Sequence, residues 1–454
     1  MILPQGMIVT HRALKNIGNA RELVQRLLSL SENEPVFVLD GGGARPDANR
    51  LIAGIRPSMA VELDHDDPRE TLSKIELAAR RFPFCFFTLS YELGRKLQRI
   101  GPPRRSSEPD AYLFACDSAV VHDYETGVTS VAGDARRIAE TESLLRDALP
   151  FNSAVSATAR LVPEESRGSY GAKVERVREL IRSGLTYQTN LTQRFSVDLP
   201  EGPSPAVVFL RLREAHPAPF AAYATRSGST VVSASPERFF SLRGRSVTAS
   251  PIKGTRPRSA DPLIDAEMRR ALSESEKDRA ENVMIVDLLR NDLGRVCEYG
   301  SVRVAALCEI EDHPSLFHMV STIEGRTREE TGIAALIGAL FPCGSITGAP
   351  KISTMRIIDE LEPVPRGLSM GAIGYFARDG LSATPGSVPE ADLSVAIRTL
   401  VARGGRAEFN VGGGIVIDSD PEDEYLEALA KATALADALG VSAQLRELIH
   451  PDGV

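Results

Sequence analysis

Nowhere in the 454 residues does an apolar run approach the ~18 residues that a membrane-spanning helix needs, so no membrane partner is expected. Basic runs interleaved with aromatics are also missing, and the net charge is −8, from 53 Lys and Arg against 61 Asp and Glu. Nucleic acid is therefore a poor candidate partner. A small anionic substrate is not excluded, because a pocket can be locally cationic beneath an acidic surface. Cysteine is scarce: Cys85, Cys116, Cys297, Cys308 and Cys343 are scattered, odd in number and without metal-type spacing, which fits a reducing, cytoplasmic compartment. Residues 1–12 lack the basic patch and apolar run of a secretory leader. Glycine is present but wrongly spaced for nucleotides: Gly412-Gly413-Gly414 is no dinucleotide fingerprint, and Gly348-Ala349-Pro350-Lys351-Ile352-Ser353 is no P-loop. Neither an internal repeat nor a coiled-coil heptad is found.

What remains is an ordinary globular composition, 43% hydrophobic and 25% charged, long enough for a large core. The first third reads as short strands alternating with helices. A strand at 36–40 precedes the Gly41-Gly42-Gly43 turn, a helix covers 70–80, and an apolar strand covers 84–89. The polar, proline-rich stretch 101–110 reads as a disordered loop. A connector at 158–169 leads into helical periodicity over 170–183, which places a boundary between an N-terminal subdomain, 1–155, and a C-terminal one, 156–454. Beyond it come strand-like runs at 188–197 and 230–233, a polar loop at 255–265, a helix over 273–293, a strand at 407–411 ending in a glycine turn, and a closing helix over 422–439. The mixture predicts an α/β (α+β) architecture without supplying strand order.

Several residues carry chemistry. Lys253 sits in Ser250-Pro251-Ile252-Lys253-Gly254-Thr255, between a proline turn and a Gly-Thr pair, and a lysine in a tight turn can be aimed. Its amine can anchor an anion, act as an acid or base, or attack as a nucleophile. On the final helix Glu424, Glu427 and Lys431 fall at i, i+3 and i+7, on one face within two turns. That face is either a solvated surface with an ordinary Glu–Lys pair or a seat for a hard cation such as Mg2+, which favours carboxylate oxygens. A second acidic pair, Asp278 and Glu281, lies on a helix carrying Val283, Ile285, Val286, Leu288 and Leu289, so its carboxylates are expected to be buried and to need partners. Glycines 412–414 permit either close approach of N–H groups to an anion or close packing of backbones. His318, in an apolar strand-like run, is either a hydrogen-bonded core histidine or a catalytic group. Glu237, in Ser235-Pro236-Glu237-Arg238-Phe239, either pairs with Arg238 or is a buried acid with a raised pKa.

Taken in order, Tyr187-Gln188-Thr189-Asn190-Leu191 and the segments 235–239, 251–255, 278–292, 318–322, 344–351 and 411–416 resemble the chorismate-utilising enzymes. That family includes anthranilate synthase component I, aminodeoxychorismate synthase component I, isochorismate synthase and salicylate synthase. The N-terminal third matches more loosely, through Ser90-Tyr91-Glu92-Leu93-Gly94-Arg95, where relatives carry a tryptophan site or its remnant. The resemblance implies one large fold of two facing β-sheets flanked by outer helices. It implies a Mg2+ cofactor held by Glu281 and Glu427, with Glu424 nearby, against the ring carboxylate of chorismate. It also implies a substrate-binding set of Gln188, Thr255, Tyr375, Arg398, Gly412, Gly413, Gly414 and Lys431. Glu237 resembles the general acid that protonates the departing C4 hydroxyl, and His318 lines the ring.

Two positions divide this family. Isochorismate and salicylate synthases have a water-activating lysine where this chain has Gln188, and an amide cannot take that proton, so the resemblance points to the amine-transferring branch. Anthranilate synthases usually have alanine where this chain has Lys253, the residue of the aminodeoxychorismate synthases, in which it is thought to attack C2 of chorismate. The expected activity is therefore the conversion of chorismate and ammonia to 4-amino-4-deoxychorismate, a precursor of p-aminobenzoate and folate. None of the five cysteines lies in a Gly-x-Cys-x-Gly elbow, which implies a separate glutamine amidotransferase partner; no lyase domain follows the catalytic part. The alternatives are anthranilate synthase component I and a noncatalytic sensor of tryptophan or chorismate.

Overall fold

The computed structural model describes residues 9–15, 17–43, 48–102, 104–151, 159–199, 202–313, 316–381 and 388–450. The expected boundary between 155 and 156 lies outside the described residues, as do residues 1–8 of the N-terminal stretch. Two sheets of twelve and ten strands dominate the described residues, and their neighbouring strands pair antiparallel. Each sheet takes strands from both halves of the chain: Val36–Asp40 pairs with Phe220–Arg226 in the larger, and Phe84–Leu89 pairs with Ala372–Ala377 in the smaller.

The layering follows from strands that are apolar on both faces. In Phe84–Leu89, Phe84 and Phe86 point into a cluster between the sheets, while Cys85, Phe87 and Leu89 point into a second cluster beneath helices. Val36–Asp40 does the same in the opposing sheet, with Phe37 inward and Val36 and Val38 toward its own helices. Burial on both faces explains why these strands read as unbroken apolar runs. Phe37, Phe86 and Phe114 meet between the sheets with ring centroids 5.4 to 6.0 Å apart. Each such ring contributes roughly 2–3 kcal/mol of burial. A Cβ on Gly54 would stand only 2.7 Å from the Phe114 ring, so this packing has no room for a side chain there.

Helices cover the outer faces. Arg167–Arg182, Pro205–Ala215 and Pro421–Leu439 pack on the larger sheet, Pro68–Arg81, Glu276–Gly294 and Ile333–Leu340 on the core of the smaller, and Lys351–Leu361 contributes to both cores, Ile357 to the first and Met355 and Ile358 to the second. Pro421–Leu439 starts where the sequence signals it. Asp420 accepts hydrogen bonds from the backbone N–H groups of Glu422 and Asp423, and a proline follows it at the first helical position. This is the expected α/β (α+β) arrangement of two facing sheets with helices outside.

Four expectations are corrected. Gly412–Gly414 do not form a turn but continue the strand Arg406–Ile415, opposite Thr192, Leu191 and Asn190, because a Cβ on Gly412 would overlap the Leu191 carbonyl of the neighbouring strand. The polar loop at 255–265 instead holds the end of the strand Ile252–Pro257 and the start of the helix Pro262–Ser273, which Asp261 caps. The helix expected over 273–293 breaks there: Ser275 accepts a hydrogen bond from the Asp278 N–H and starts the separate helix Glu276–Gly294. The stretch 101–110 is anchored in its described part, since Arg104 donates to the Glu362 carbonyl at 2.9 Å and Glu108 is buried against Arg226 at 2.7 Å. Composition cannot see a partner 118 residues away.

Candidate active site

A cavity of about 500 Å3 opens where the ends of the two sheets meet the helices Glu276–Gly294 and Pro421–Leu439. The strand Arg406–Ile415 forms one wall. It is paired along its length with Gln188–Asp198, but its other neighbour, Thr399–Arg403, stops at Phe409. Beyond Phe409 that second edge has no strand partner among the described residues; side chains take up part of it, the Asn410 N–H donating to Ser369 Oγ and the Gly412 carbonyl accepting from Lys431. Glycine keeps the wall low. A Cβ at Gly413 would stand 3.0 Å from Glu424 Oε2 and 3.5 Å from Lys431 Nζ, and one at Gly414 would overlap the Gln188 amide.

Facing the glycines, the final helix presents Glu424, Glu427 and Lys431 as their spacing predicts. Lys431 Nζ donates to the Gly412 carbonyl at 2.9 Å and pairs with Glu427 at 2.8 Å. Ser419 donates to Glu424 Oε1 at 2.6 Å, while Glu424 Oε2 is buried without a partner. From the other helix, Glu281 accepts from Gln188 Nε2 at 3.2 Å and lies 4.0 Å from Lys253 Nζ. Burial holds the carboxyls of Glu281 and Glu424 above their usual range, against the pull of Lys253 on the first and the Ser419 hydrogen bond on the second. Burial also pushes Glu427 upward, but Lys431 outweighs it and brings that carboxyl below its usual value.

Glu237 is a buried acid on the wall between the sheets. It is 6% exposed, its Oε1 has no partner, and desolvation raises its pKa from 4.5 to about 7 despite Ser345 and Lys253. Across the cavity Thr255 Oγ1 lies 2.9 Å from His318 Nδ1, a pair set by their register on adjacent strands. Burial lowers the Arg398 pKa, and its backbone takes a left-handed φ of 48°. Met370, also lining the cavity, has φ 64°. Strained non-glycine backbone of this kind concentrates at ligand sites.

The cavity thus gathers Lys253, Glu237, His318, Thr255, Arg398, Gly412, Gly414, Lys431, Glu281, Glu424 and Glu427, with Gln188 and Gly413 directly behind its wall. Tyr375 does not join them. Its hydroxyl donates to Glu390 at 2.8 Å in a second cavity, about 550 Å3, between the sheets. The reason is strand parity: Ile373, Tyr375 and Ala377 share the face that looks into the intersheet cluster. Sequence reasoning missed Lys277, Asn190 and Asn410, which also line the site. Lys277 stands one helical turn before Glu281, and Asn410 shares a strand face with Gly412 and Gly414, so both periods carried the signal. Val283, expected to be buried, is 41% exposed, while Ile285, Val286 and Leu289 are buried.

The carboxylates suit a hard divalent cation. Among the described residues no three potential ligands are drawn together tightly enough to hold a metal alone. Magnesium takes only one or two carboxylates and completes its octahedron with water and substrate oxygens, and the unpartnered Glu424 Oε2 is such a donor.

The family model described as chorismate binding enzyme matches residues 36–437. The chain belongs to the chorismate-binding enzymes. It is 40% identical to aminodeoxychorismate synthase component 1 of Klebsiella aerogenes, over 77% of this chain and 75% of that one. It is 39% identical to the aminodeoxychorismate synthase of Streptomyces pristinaespiralis, over 82% of this chain and 55% of the relative, so it spans about half the length of the Streptomyces relatives it matches. The crystal structure of anthranilate synthase component I from Streptococcus pneumoniae TIGR4 superposes with a TM-score of 0.70 at 26% identity, over 96% of this chain and 94% of that one. Among the described residues no helix is long and apolar enough to cross a membrane, and all five cysteines are free and buried.

Proposed function

We propose that this chorismate-binding enzyme is an aminodeoxychorismate synthase component, converting chorismate and ammonia to 4-amino-4-deoxychorismate. The observation that carries the reading is the presence of a buried acid, Glu237, and a lysine amine, Lys253, on one cavity whose far wall is glycine-lined and carries both lysine and carboxylate groups. Chorismate is a dianion, and Arg398 and Lys431, beside the glycine-lined strand, are the groups suited to its carboxylates. Glu281, Glu424 and Glu427 would hold Mg2+. When bound, the metal would neutralise the charge of the ring carboxylate.

Hydroxide is a poor leaving group, and the raised pKa of Glu237 keeps a proton available near neutrality. In the proposed sequence the Lys253 amine forms a bond to C2 of chorismate, both ring double bonds shift by one position, and the C4 hydroxyl leaves as water with the Glu237 proton. Ammonia then bonds to C4, both double bonds shift back, and the C2–nitrogen bond breaks to restore the amine. Gln188 cannot deprotonate water, which favours an amine nucleophile. Thr255 and His318 would position the ring from the opposite side.

The relatives named component 1 carry a name that implies a second subunit, and a separate glutamine amidotransferase is the ammonia source we propose. The competing reading, anthranilate synthesis, draws on the likeness to the Streptococcus protein, and Lys253 weighs against it. The test is purified protein with chorismate, Mg2+ and ammonium, half of it supplemented with aminodeoxychorismate lyase, resolved by chromatography and mass spectrometry. Lyase-dependent p-aminobenzoate is expected; anthranilate without lyase would overturn the reading. Lys253→Ala with ammonia tests the covalent step, which an unchanged rate would eliminate.

A further inference from the structure

A third pocket, about 280 Å3, adjoins the candidate active site, and Asn410 lines both. Its walls come from the anchored stretch around Glu108, the segment 365–369 and one face of the strands Gln188–Asp198 and Arg406–Ile415. Among its described lining residues five arginines stand against two glutamates, in a chain whose net charge is −8.

The two glutamates are oversubscribed. Both Glu108 oxygens accept from Arg226, at 2.7 and 3.0 Å, and Oε1 is shared with Arg403 at 3.0 Å. Glu408 meets Arg194 at 3.6 Å and Arg406 at 3.5 Å, both longer than a hydrogen bond. Arg406 also donates to Ser196 and approaches Glu164 at 3.6 Å and Asp198 at 3.9 Å. Arg105 is exposed and has no ion pair among the described residues. The fifth, Arg366, is committed to Glu362 and to the carbonyls of Ile346 and Asn190.

Hydroxyl groups add donors. Ser106 Oγ accepts from the Glu108 N–H at 3.0 Å and Ser369 Oγ from the Asn410 N–H at 3.2 Å, which leaves each hydroxyl hydrogen to be given to something else. A concave wall that keeps Arg105 without an ion pair among the described residues, Arg194 Nε without a partner and two hydroxyl hydrogens to give has donors to spare, the condition that an anion with several oxygens relieves. The volume is below the ~300 Å3 at which sites for larger ligands begin, so the occupant is small.

We propose that this pocket binds a small anion carrying carboxylate or phosphate groups, at a site separate from the cavity of Lys253 and Glu237. Calorimetric titration of the full chain at low ionic strength, with inorganic phosphate in one arm and malonate in the other, tests it. Saturable binding of either anion is expected, weakened at least tenfold by Arg105→Ala and further by Arg105→Ala with Arg403→Ala, and retained in Lys431→Ala. The tighter anion identifies the acid group. Absence of saturable binding in both arms overturns the proposal, as does binding that Lys431→Ala abolishes and the arginine variants keep, since the anion would then occupy the neighbouring cavity. Arg105 is exposed, so its single variant tests the site without threatening the fold. No turnover is measured, so the outcome is independent of the proposed activity.

Discussion

The cavity beside the final helix and the cavity between the sheets are nearly equal in size, about 500 and 550 Å3, and both are lined with charge. They differ in how that charge is satisfied. Between the sheets Asp40 pairs with Arg213 at 2.7 Å, Arg238 with Asp392 at 2.9 Å, and Glu390 with Arg50 at 3.2 Å and with Tyr375. No buried polar side-chain atom without a partner is found among its described lining residues. In the other cavity Asn190, Glu237 and Glu424 each keep one, and Gln188 Oε1 behind the wall adds a fourth. Two lining residues there, Met370 and Arg398, also hold left-handed backbone. Unsatisfied buried polarity is destabilising by about 1–3 kcal/mol per group unless a ligand completes it. Volume does not single out the reactive cavity; unmet hydrogen-bonding demand does.

The sharpest way to break that contrast is Glu237→Gln. It removes the proton donor and is expected to lower kcat/KM by roughly 10²–10⁴-fold. Thermal melting should show stability equal to or above that of the parent, because a buried carboxyl with one unpartnered oxygen is replaced by a neutral amide. A fall in both would mean that Glu237 is structural. Asp40→Ala is the converse. It strands Arg213 and should lower the denaturation free energy by about 3 kcal/mol, with turnover per folded molecule unchanged.

The pH dependence of Glu237 comes next. Below pH 4.5 its carboxyl is protonated in both the folded and the unfolded chain. Between 4.5 and about 7 the unfolded chain releases the proton that the fold retains, so this residue makes stability fall as pH rises across that window, by on the order of 3 kcal/mol in all. Above about 7 the folded protein loses the proton as well, and kcat/KM should fall about tenfold per pH unit. Denaturation profiles and rate profiles of the parent beside Glu237→Gln would check both, since the variant lacks both slopes. The smallest effect is expected for Tyr375→Phe, about 1 kcal/mol of stability from the lost Glu390 hydrogen bond and no change in turnover. A large loss of turnover would instead return Tyr375 to the reacting cavity.

Much of the site was legible because it is written in local periods. The i, i+3, i+7 spacing of Glu424, Glu427 and Lys431 aimed them together before any contact was known. The strands expected at 36–40 and 84–89 are present with those bounds, and the two-sheet layering buries both of their faces. The errors arose where a local pattern met a distant constraint. Tyr375, which the resemblance placed in the substrate-binding set, sits on a strand whose parity is set by packing against the other sheet and so faces the other cavity. The stretch around Glu108 looked loose because its partners, Arg226 and Arg403, lie 118 and 295 residues away. The glycines at 412–414 read as a turn because a strand without side chains has no visible period; the Leu191 carbonyl beside Gly412, Glu424 beside Gly413 and the Gln188 amide beside Gly414 explain them.

By itself, then, the sequence determined which faces of its helices and strands are apolar or charged, since backbone geometry repeats every 3.6 or 2 residues whatever surrounds it. Tertiary structure alone decided which charges are neutralised and which are held unsatisfied against a cavity. Asp40 and Glu237 are both buried acids, and only the arrival of Arg213 beside the first, and of no cation within hydrogen-bonding reach of the second, separates a structural ion pair from the proposed proton donor. That difference depends on dielectric and distance, which no local pattern carries.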